Sequence, residues 1–309
     1  MTTAGKATAL MVVAATLVGC GMGAGKPTGQ VTLTVTDRFG TVPVGKVVSA
    51  NAPGAETAMR QLVRAHRVES RYEGRFVQSI DGLEGGTVGG RPVDWFIFVN
   101  GLEATKGAAD VALTAGDSVW WDRRDWGAAT HVPAVVGSWP QPFRSGREGK
   151  RLAVRLICPP GGDAGCAKVE RILISIGASP AKGIPGVSGK GSGLRVVVGE
   201  WSAIRNDPAA AGLARGPGSS GVYVKPSRDG GSFELLDPTE REVDQLGEGT
   251  GMVAATGEIG SPPTWLVTGI GPQGLERAVA ALDSKTLARR YAVLVAPDGS
   301  VRGAPEVRR

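Results

Sequence analysis

Histidine occurs only twice in this chain of 309 residues, and cysteine three times. With only His66 and His131, neither an H-E-x-x-H helix nor a zinc-ligand set can be written. No serine stands in a G-x-S-x-G elbow. Gly189-Lys190-Gly191-Ser192 lacks the spacing of a phosphate-cradling loop, and no carboxylate pair is singled out. The expectation is a protein that binds, with catalysis a distant third. Charge of one sign is also lacking: Lys+Arg 35 stand against Asp+Glu 29, a net +6. Apart from Arg144–Arg151 and Arg308–Arg309 the cations are scattered, so there is no basic stripe with interleaved aromatics of the kind a nucleic-acid binder carries. Mild attraction to an anionic membrane or cell wall is the reading that remains. What the chain has in quantity is turn formers, Gly 48 and Pro 20. They favour short strands and linkers over long helices, and the length suits two domains.

The apolar run Ala7–Gly19 follows Lys6 and falls short of the roughly 20 residues a spanning helix needs. A charged start, a short apolar stretch and small residues at its end describe an export signal. The run closes as Leu17-Val18-Gly19-Cys20, which resembles the bacterial lipoprotein box. That resemblance implies a signal peptide and lipobox over 1–20, with a lipid-bearing Cys20 as first mature residue, on the extracytoplasmic face of the membrane. Several acyl chains on one cysteine anchor firmly where a single chain does not. Residues 21–30 then read as a flexible tether. The alternative is an ordinary secretory signal in which Cys20 is incidental. After export, the even pair Cys158 and Cys166 is expected as a structural disulfide, since a redox or metal pair lacks both C-x-x-C spacing and a nearby histidine.

Residues 31–139 read as one folded unit. Val31–Thr36 alternates with period two, as a half-buried strand does, and Val42–Ala50 is a candidate hairpin partner. Ala58, Met59, Leu62 and Val63 form one helical stripe. Short strands are expected around Phe76–Ile80, Asp94–Val99 and Ser118–Asp122. Asn100-Gly101 is a two-residue hairpin turn, and Ala115-Gly116-Asp117 makes another. Several strands around one helix make an α+β roll.

The motifs Ser79-Ile80-Asp81-Gly82, Asp94-Trp95-Phe96-Ile97-Phe98-Val99-Asn100-Gly101 and Ala115-Gly116-Asp117-Ser118-Val119-Trp120-Trp121 carry a resemblance. In this order they resemble a bacterial β-grasp domain of unknown function, similar to the C-terminal domain of transcobalamin and intrinsic factor. The likeness spans about Thr57 to Trp126. It implies a β-grasp-like roll and, since the matching domain of the eukaryotic carriers helps to enclose cobalamin, a corrinoid as a ligand. The large helical barrel of those carriers has no counterpart here.

Residues 140–150 (PQPFRSGREGK) read as a linker, and 151–309 as a separate α/β sandwich domain. Strands are expected at Leu152–Cys158, Leu194–Val198, Val222–Val224, Thr264–Thr268 and Tyr291–Val295. Helices are expected at Ala167–Ile176, Glu200–Asn206, Ala209–Ala214 and Gly274–Leu282. The order suggests a twofold strand–helix–strand quasi-repeat. Gly269-Ile270-Gly271-Pro272-Gln273-Gly274 follows a strand and opens a helix, as a dinucleotide fingerprint does. Against that use, Pro272 removes an N–H from the loop, and Asp298, in an Asp-Gly turn, is the sole acidic residue near the following strand. A glycine-rich strand-to-helix turn is the preferred reading.

Five tryptophans, Trp95, Trp120, Trp121, Trp126 and Trp139, fall in the first unit or at its end. In Asp94–Val99 the residues Trp95, Ile97 and Val99 point to one face, and Phe96 and Phe98 to the other. One helix covers one face only, so the second must meet a ligand, a partner or the C-terminal half. The expected ligand patch is Phe96, Phe98, Trp120 and Trp126, with Asp122 and Arg124 as its polar rim; the competing reading is interdomain packing. The function expected is therefore a lipid-anchored protein binding a small ligand for a membrane transporter. The alternative is a structural or adhesive module docking a protein or polysaccharide.

Overall fold

The computed structural model describes residues 29–307, apart from 53, 161–162 and 185–192. The signal segment with Cys20, most of the tether, Gly189–Ser192 and Arg308–Arg309 lie outside the described residues. The chain is mixed α+β, with many strands and few helices.

The first sheet has seven strands. Its centre is β1 (Gly29–Asp37), paired with β2 (Val48–Ala52) along its first half and with Val42–Pro43 at its end. α1 (Ala58–Ala65) follows, its first turn capped by Thr57 Oγ1, which accepts from Arg60 N at 3.2 Å. α1 buries Ala58, Gln61 and Leu62, whereas Val63, expected on the buried stripe, is exposed. β3 (Arg91–Val99) and β4 (Ser118–Asp125) are antiparallel, and β4 runs parallel to β1. The Asn100-Gly101 turn forms as expected, with φ of 55° and 76°. Its asparagine side chain donates to Asp117 Oδ1 at 2.7 Å and to Gly146 O at 3.1 Å, and accepts from Ser118 N at 2.9 Å. One hairpin turn is thereby tied to the loop before β4 and to the segment beyond the sheet.

The second sheet also has seven strands. β5 (Val154–Ile157) leads into α2 (Asp163–Ser175), and β6 (Leu194–Glu200) lies parallel beside β5. β7 (Gly251–Thr256) and β8 (Thr264–Gly269) are antiparallel neighbours, β8 being parallel to β6. α3 (Gly271–Ala280) then leads to β9 (Ala292–Val295) and β10 (Val301–Ala304). The expected quasi-repeat is broken: β5 and β6 touch, but β7 stands between β8 and β9. β6, β7 and β8 are nearly continuous apolar runs because both faces of this sheet are covered. Val196, Val198, Val253, Trp265, Val267 and Val293 face α2 and α3, whereas Val197, Met252, Ala254, Leu266 and Leu294 face the opposite way.

That opposite face meets the first half of the chain. Phe39, Phe98, Trp120, Val132 and Val135 share a single buried cluster with Trp201, Tyr223, Phe233, Met252, Tyr291 and Leu294. The separate domains expected from sequence are joined by one core. The expected linker 140–150 is likewise built in: Phe143 is buried, and its ring lies 5.5 Å from Trp139 and 5.0 Å from Trp265. Aromatic side chains carry enough apolar area to make a Pro- and Gly-rich segment part of the core.

Cys158 and Cys166 form the expected disulfide, clipping the end of β5 to α2. The glycine-rich run also has its structural explanation. A Cβ on Gly269 would overlap the backbone of Gly274 and Leu275, and one on Gly274 would overlap Thr250 O. These glycines let α3 descend onto the sheet. Gly271, with φ of 68°, has the Glu248 carboxylate directly against its open side, a charge that opposes any phosphate at the start of α3.

Candidate functional site

The expected ligand patch is closed. Phe98, Trp120, Asp122 and Arg124 are fully or almost fully buried, and Phe96 and Trp126 are half-buried. The alternation correctly separates the two faces: Trp95, Ile97 and Trp121 lie in the cluster with α1, and Phe98 and Trp120 in the other. Cover comes from the second half. The Tyr291 ring sits 5.6 Å from Phe98 and 5.4 Å from Trp120, both edge-on. Phe39, at the tip of the hairpin after β1, inserts between Tyr223 at 5.3 Å and Tyr291 at 5.1 Å.

The two rim residues are core groups instead. Asp122 accepts from Thr36 Oγ1 at 2.5 Å, Gly40 N at 3.0 Å and Tyr291 OH at 2.8 Å. Thr36 Oγ1 in turn accepts from Trp120 Nε1 at 2.7 Å. Burial raises the Asp122 carboxyl to about 6, against the opposing pull of these donors and of the Arg124 charge. Arg124 lies 3.7 Å from the centre of the Phe96 ring and donates to Ala129 O and Thr130 O at 2.7 and 3.0 Å. Trp126 Nε1 donates to Asp94 Oδ2 at 2.9 Å. Of the six expected residues, five are brought into or beside the junction, and none is left as an open seat.

An open space lies just beside it. A cleft of about 660 Å³ is bounded by three segments: Arg38–Val42 from the hairpin after β1, Ala288–Tyr291 before β9, and Gly303–Val307 after β10. Its floor is the buried pair Phe39 and Tyr291. Its rim carries Arg38, Arg289 and Arg290. Arg38, Phe39 and Arg289 all adopt φ of 55°, in the left-handed region, which side chains occupy only where surrounding structure holds them there. Gly40, at φ of 80°, is wedged between the Arg289 carbonyl and the Trp120 ring, with no room for a Cβ. The two halves therefore fix the cleft from both sides.

Its electrostatics are one-sided. Arg38 reaches Asp37 at 3.6 Å, but Asp37 is already held by Arg123 at 3.0 and 3.3 Å. Glu306, the carboxylate in the lining, is paired twice with Arg302 at 3.2 Å. Arg290 donates to Thr286 O. Burial lowers its guanidinium below the usual arginine range, and the neighbouring Arg289 pushes the same way. Among the described residues neither Arg289 nor Arg290 has an acidic partner, and the Arg289 guanidinium has no hydrogen bond. A second cavity, of about 230 Å³ beside Val99, Leu102 and Val111, is smaller. Four of its five charged side chains are paired, Lys106 with Glu148 at 2.8 Å, Asp110 with Arg75 at 3.0 Å and Glu103 with His131 at 2.8 Å, and Arg147 donates to Gly260 O.

Arg38, Arg289 and Arg290 were not singled out by sequence. The adjacent Arg289-Arg290 before an apolar strand was the available signal. Nothing local to either segment says that residue 38 will stand opposite residue 289. Among the described residues no group of three His, Cys, Asp or Glu side chains is gathered to hold a metal ion.

Residues 55–124 match a domain of unknown function (DUF4430). That stretch contains α1, β3 and nearly all of β4, but not the hairpin tip or the second half. No curated protein matches the chain. Among solved structures, a candidate metal-binding protein from Ruminococcus gnavus ATCC 29149 is 17% identical, with 31% of this chain and 97% of that one covered and a TM-score of 0.26. Haptocorrin in complex with Cbi is 13% identical, with 32% of this chain and 26% of that one covered and a TM-score of 0.24.

Proposed function

We propose that this protein is a lipid-anchored, extracytoplasmic binding protein whose small ligand sits in the cleft between its two halves. The observation that carries this is the cleft: about 660 Å³ of open space lined by segments from both ends of the chain. Ligand sites favour such junctions, where a rigid concave surface needs no single element to supply it. The order β2–β1–β4–β3, with the parallel pair at the centre, supports a β-grasp reading of the first half. The lipobox-like Leu17-Val18-Gly19-Cys20 supports anchoring through Cys20, which would hold the cleft near a membrane transporter. The docking alternative, and the seat expected for a corrinoid, both rested on a free aromatic face, and that face is filled by Phe39, Tyr223 and Tyr291.

One preparation tests both parts of the reading. Cells producing the protein are fed labelled palmitate, and the protein is extracted from their membranes for native mass spectrometry. Label on wild type but not on Cys20→Ser is expected, together with a small molecule that co-purifies with wild type but not with Ala288→Trp, which fills the cleft. Label on both proteins refutes the anchor. A bound molecule retained by Ala288→Trp, or none in wild type, refutes the site. Cobinamide added before extraction shows whether a corrinoid enters this cleft.

A further inference from the structure

We infer that the ligand of the junction cleft is a small organic anion ending in a carboxylate or phosphate ester, gripped by Arg289 and Arg290 with Arg38 across from them. This rests on the cleft reading and adds the chemistry of what the cleft accepts.

Charge is the first ground. Three arginines line one concave surface. The nearby carboxylates are engaged elsewhere: Glu306 on Arg302, Asp37 on Arg123, and Asp122 beneath Tyr291. Asp244, beyond Glu306, is also committed to Arg302, at 2.9 Å. Two adjacent like charges, with Arg290 partly buried and its charged form disfavoured by Arg289, are unfavourable as they stand. A bound oxyanion reverses the sign of that interaction. Guanidinium groups suit the task because their paired N–H donors match the two oxygens of a carboxylate or phosphate.

Backbone geometry is the second ground. Arg289 is held left-handed, and its amide donates to Gly137 O at 3.3 Å while its carbonyl lies against Gly40. The neighbouring Arg38 and Phe39 are held left-handed as well. The arginine-bearing backbones are therefore fixed by both halves before any ligand arrives, so less ordering is needed on binding. Shape is the third. Phe39, Val42, Ala288, Pro305 and Val307 supply apolar contacts among polar groups that include Thr41 and Glu306, so the cleft offers an organic body contacts that a free inorganic ion cannot use.

The test uses the detergent-solubilised full chain and three probes of similar size: phenyl phosphate, benzoate and neutral benzyl alcohol, followed by calorimetric titration. Both anions are expected to bind saturably and the alcohol at least tenfold more weakly. The Arg289→Ala/Arg290→Ala variant should lose at least tenfold in anion affinity, Arg289→Lys/Arg290→Lys should recover part of it, and Ala288→Trp should abolish binding. The ratio of the two anions tells phosphate from carboxylate. Alcohol binding as tight as the anions and abolished by Ala288→Trp overturns the anion inference and leaves the cleft standing. Anion binding untouched by every variant overturns both. Wild type that binds none of the three overturns the anion inference, while the molecule that co-purifies still decides the cleft.

Discussion

Asp122→Asn isolates the charge buried at the seam between the halves. The carboxyl's ordinary value is 3.8 and the folded protein raises it to about 6. The folded state therefore holds this proton more tightly than the unfolded chain does. As pH climbs through that window the unfolded chain loses its proton first, so the group's contribution to stability is greatest below the lower value and is lost by the upper one. At about 1.4 kcal/mol for each pH unit separating the two values, the loss is on the order of 3 kcal/mol. Asparagine does not titrate. Its carbonyl oxygen can still accept from Thr36 and Gly40, and its amide can donate to the Tyr291 oxygen. Arg124 and Tyr291 face the site in both proteins. The quantity to measure is the stability difference between wild type and variant, by urea unfolding followed through tryptophan emission, at pH values from about 4 to 7. Every other titrating group cancels in that difference. It should move by roughly 3 kcal/mol in favour of the variant as pH rises, or about 6 °C in melting temperature. A difference that stays flat across the range would show that Asp122 does not hold its proton at the seam.

Two further outcomes follow from the second half. Replacing Cys158 and Cys166 by serine opens a loop with a sequence separation of 8 and should cost about 2.5 kcal/mol on chain entropy. Urea unfolding of the variant checks it, and dithiothreitol should bring wild type to the same midpoint. Gly269→Ala should destabilise by more than about 3 kcal/mol, because its methyl group meets α3 backbone that has nowhere to go. A melting temperature within a degree or two of wild type would contradict the packing of α3 on the sheet.

Local reasoning reached further into this molecule than its composition promised. The alternation in Asp94–Val99 sorted Trp95 and Ile97 from Phe98, because strand side chains alternate whatever covers them. Asn100-Gly101 turned as expected, because both positions accept positive φ. The pairing of Cys158 with Cys166 and the structural role of Gly269 were also legible, each being decided within a dozen residues. The strands Gly251–Thr256 and Val301–Ala304 were missed. The first is short, apolar and without alternation, since it is buried on both faces.

The residues alone determined that an oily second face existed and required cover. Tertiary structure alone decided what covers it. The Asp122–Tyr291 hydrogen bond spans 169 positions of chain, and the arginines of the cleft are gathered over a still longer separation, from Arg38 to Arg289. A strand's period records which way a side chain points, whereas its partner depends on how two sheets meet, and no short window of sequence contains that meeting. An aromatic face that reads as a seat for a ligand is, once folded, the joint between two halves, and the open cleft lies at its margin.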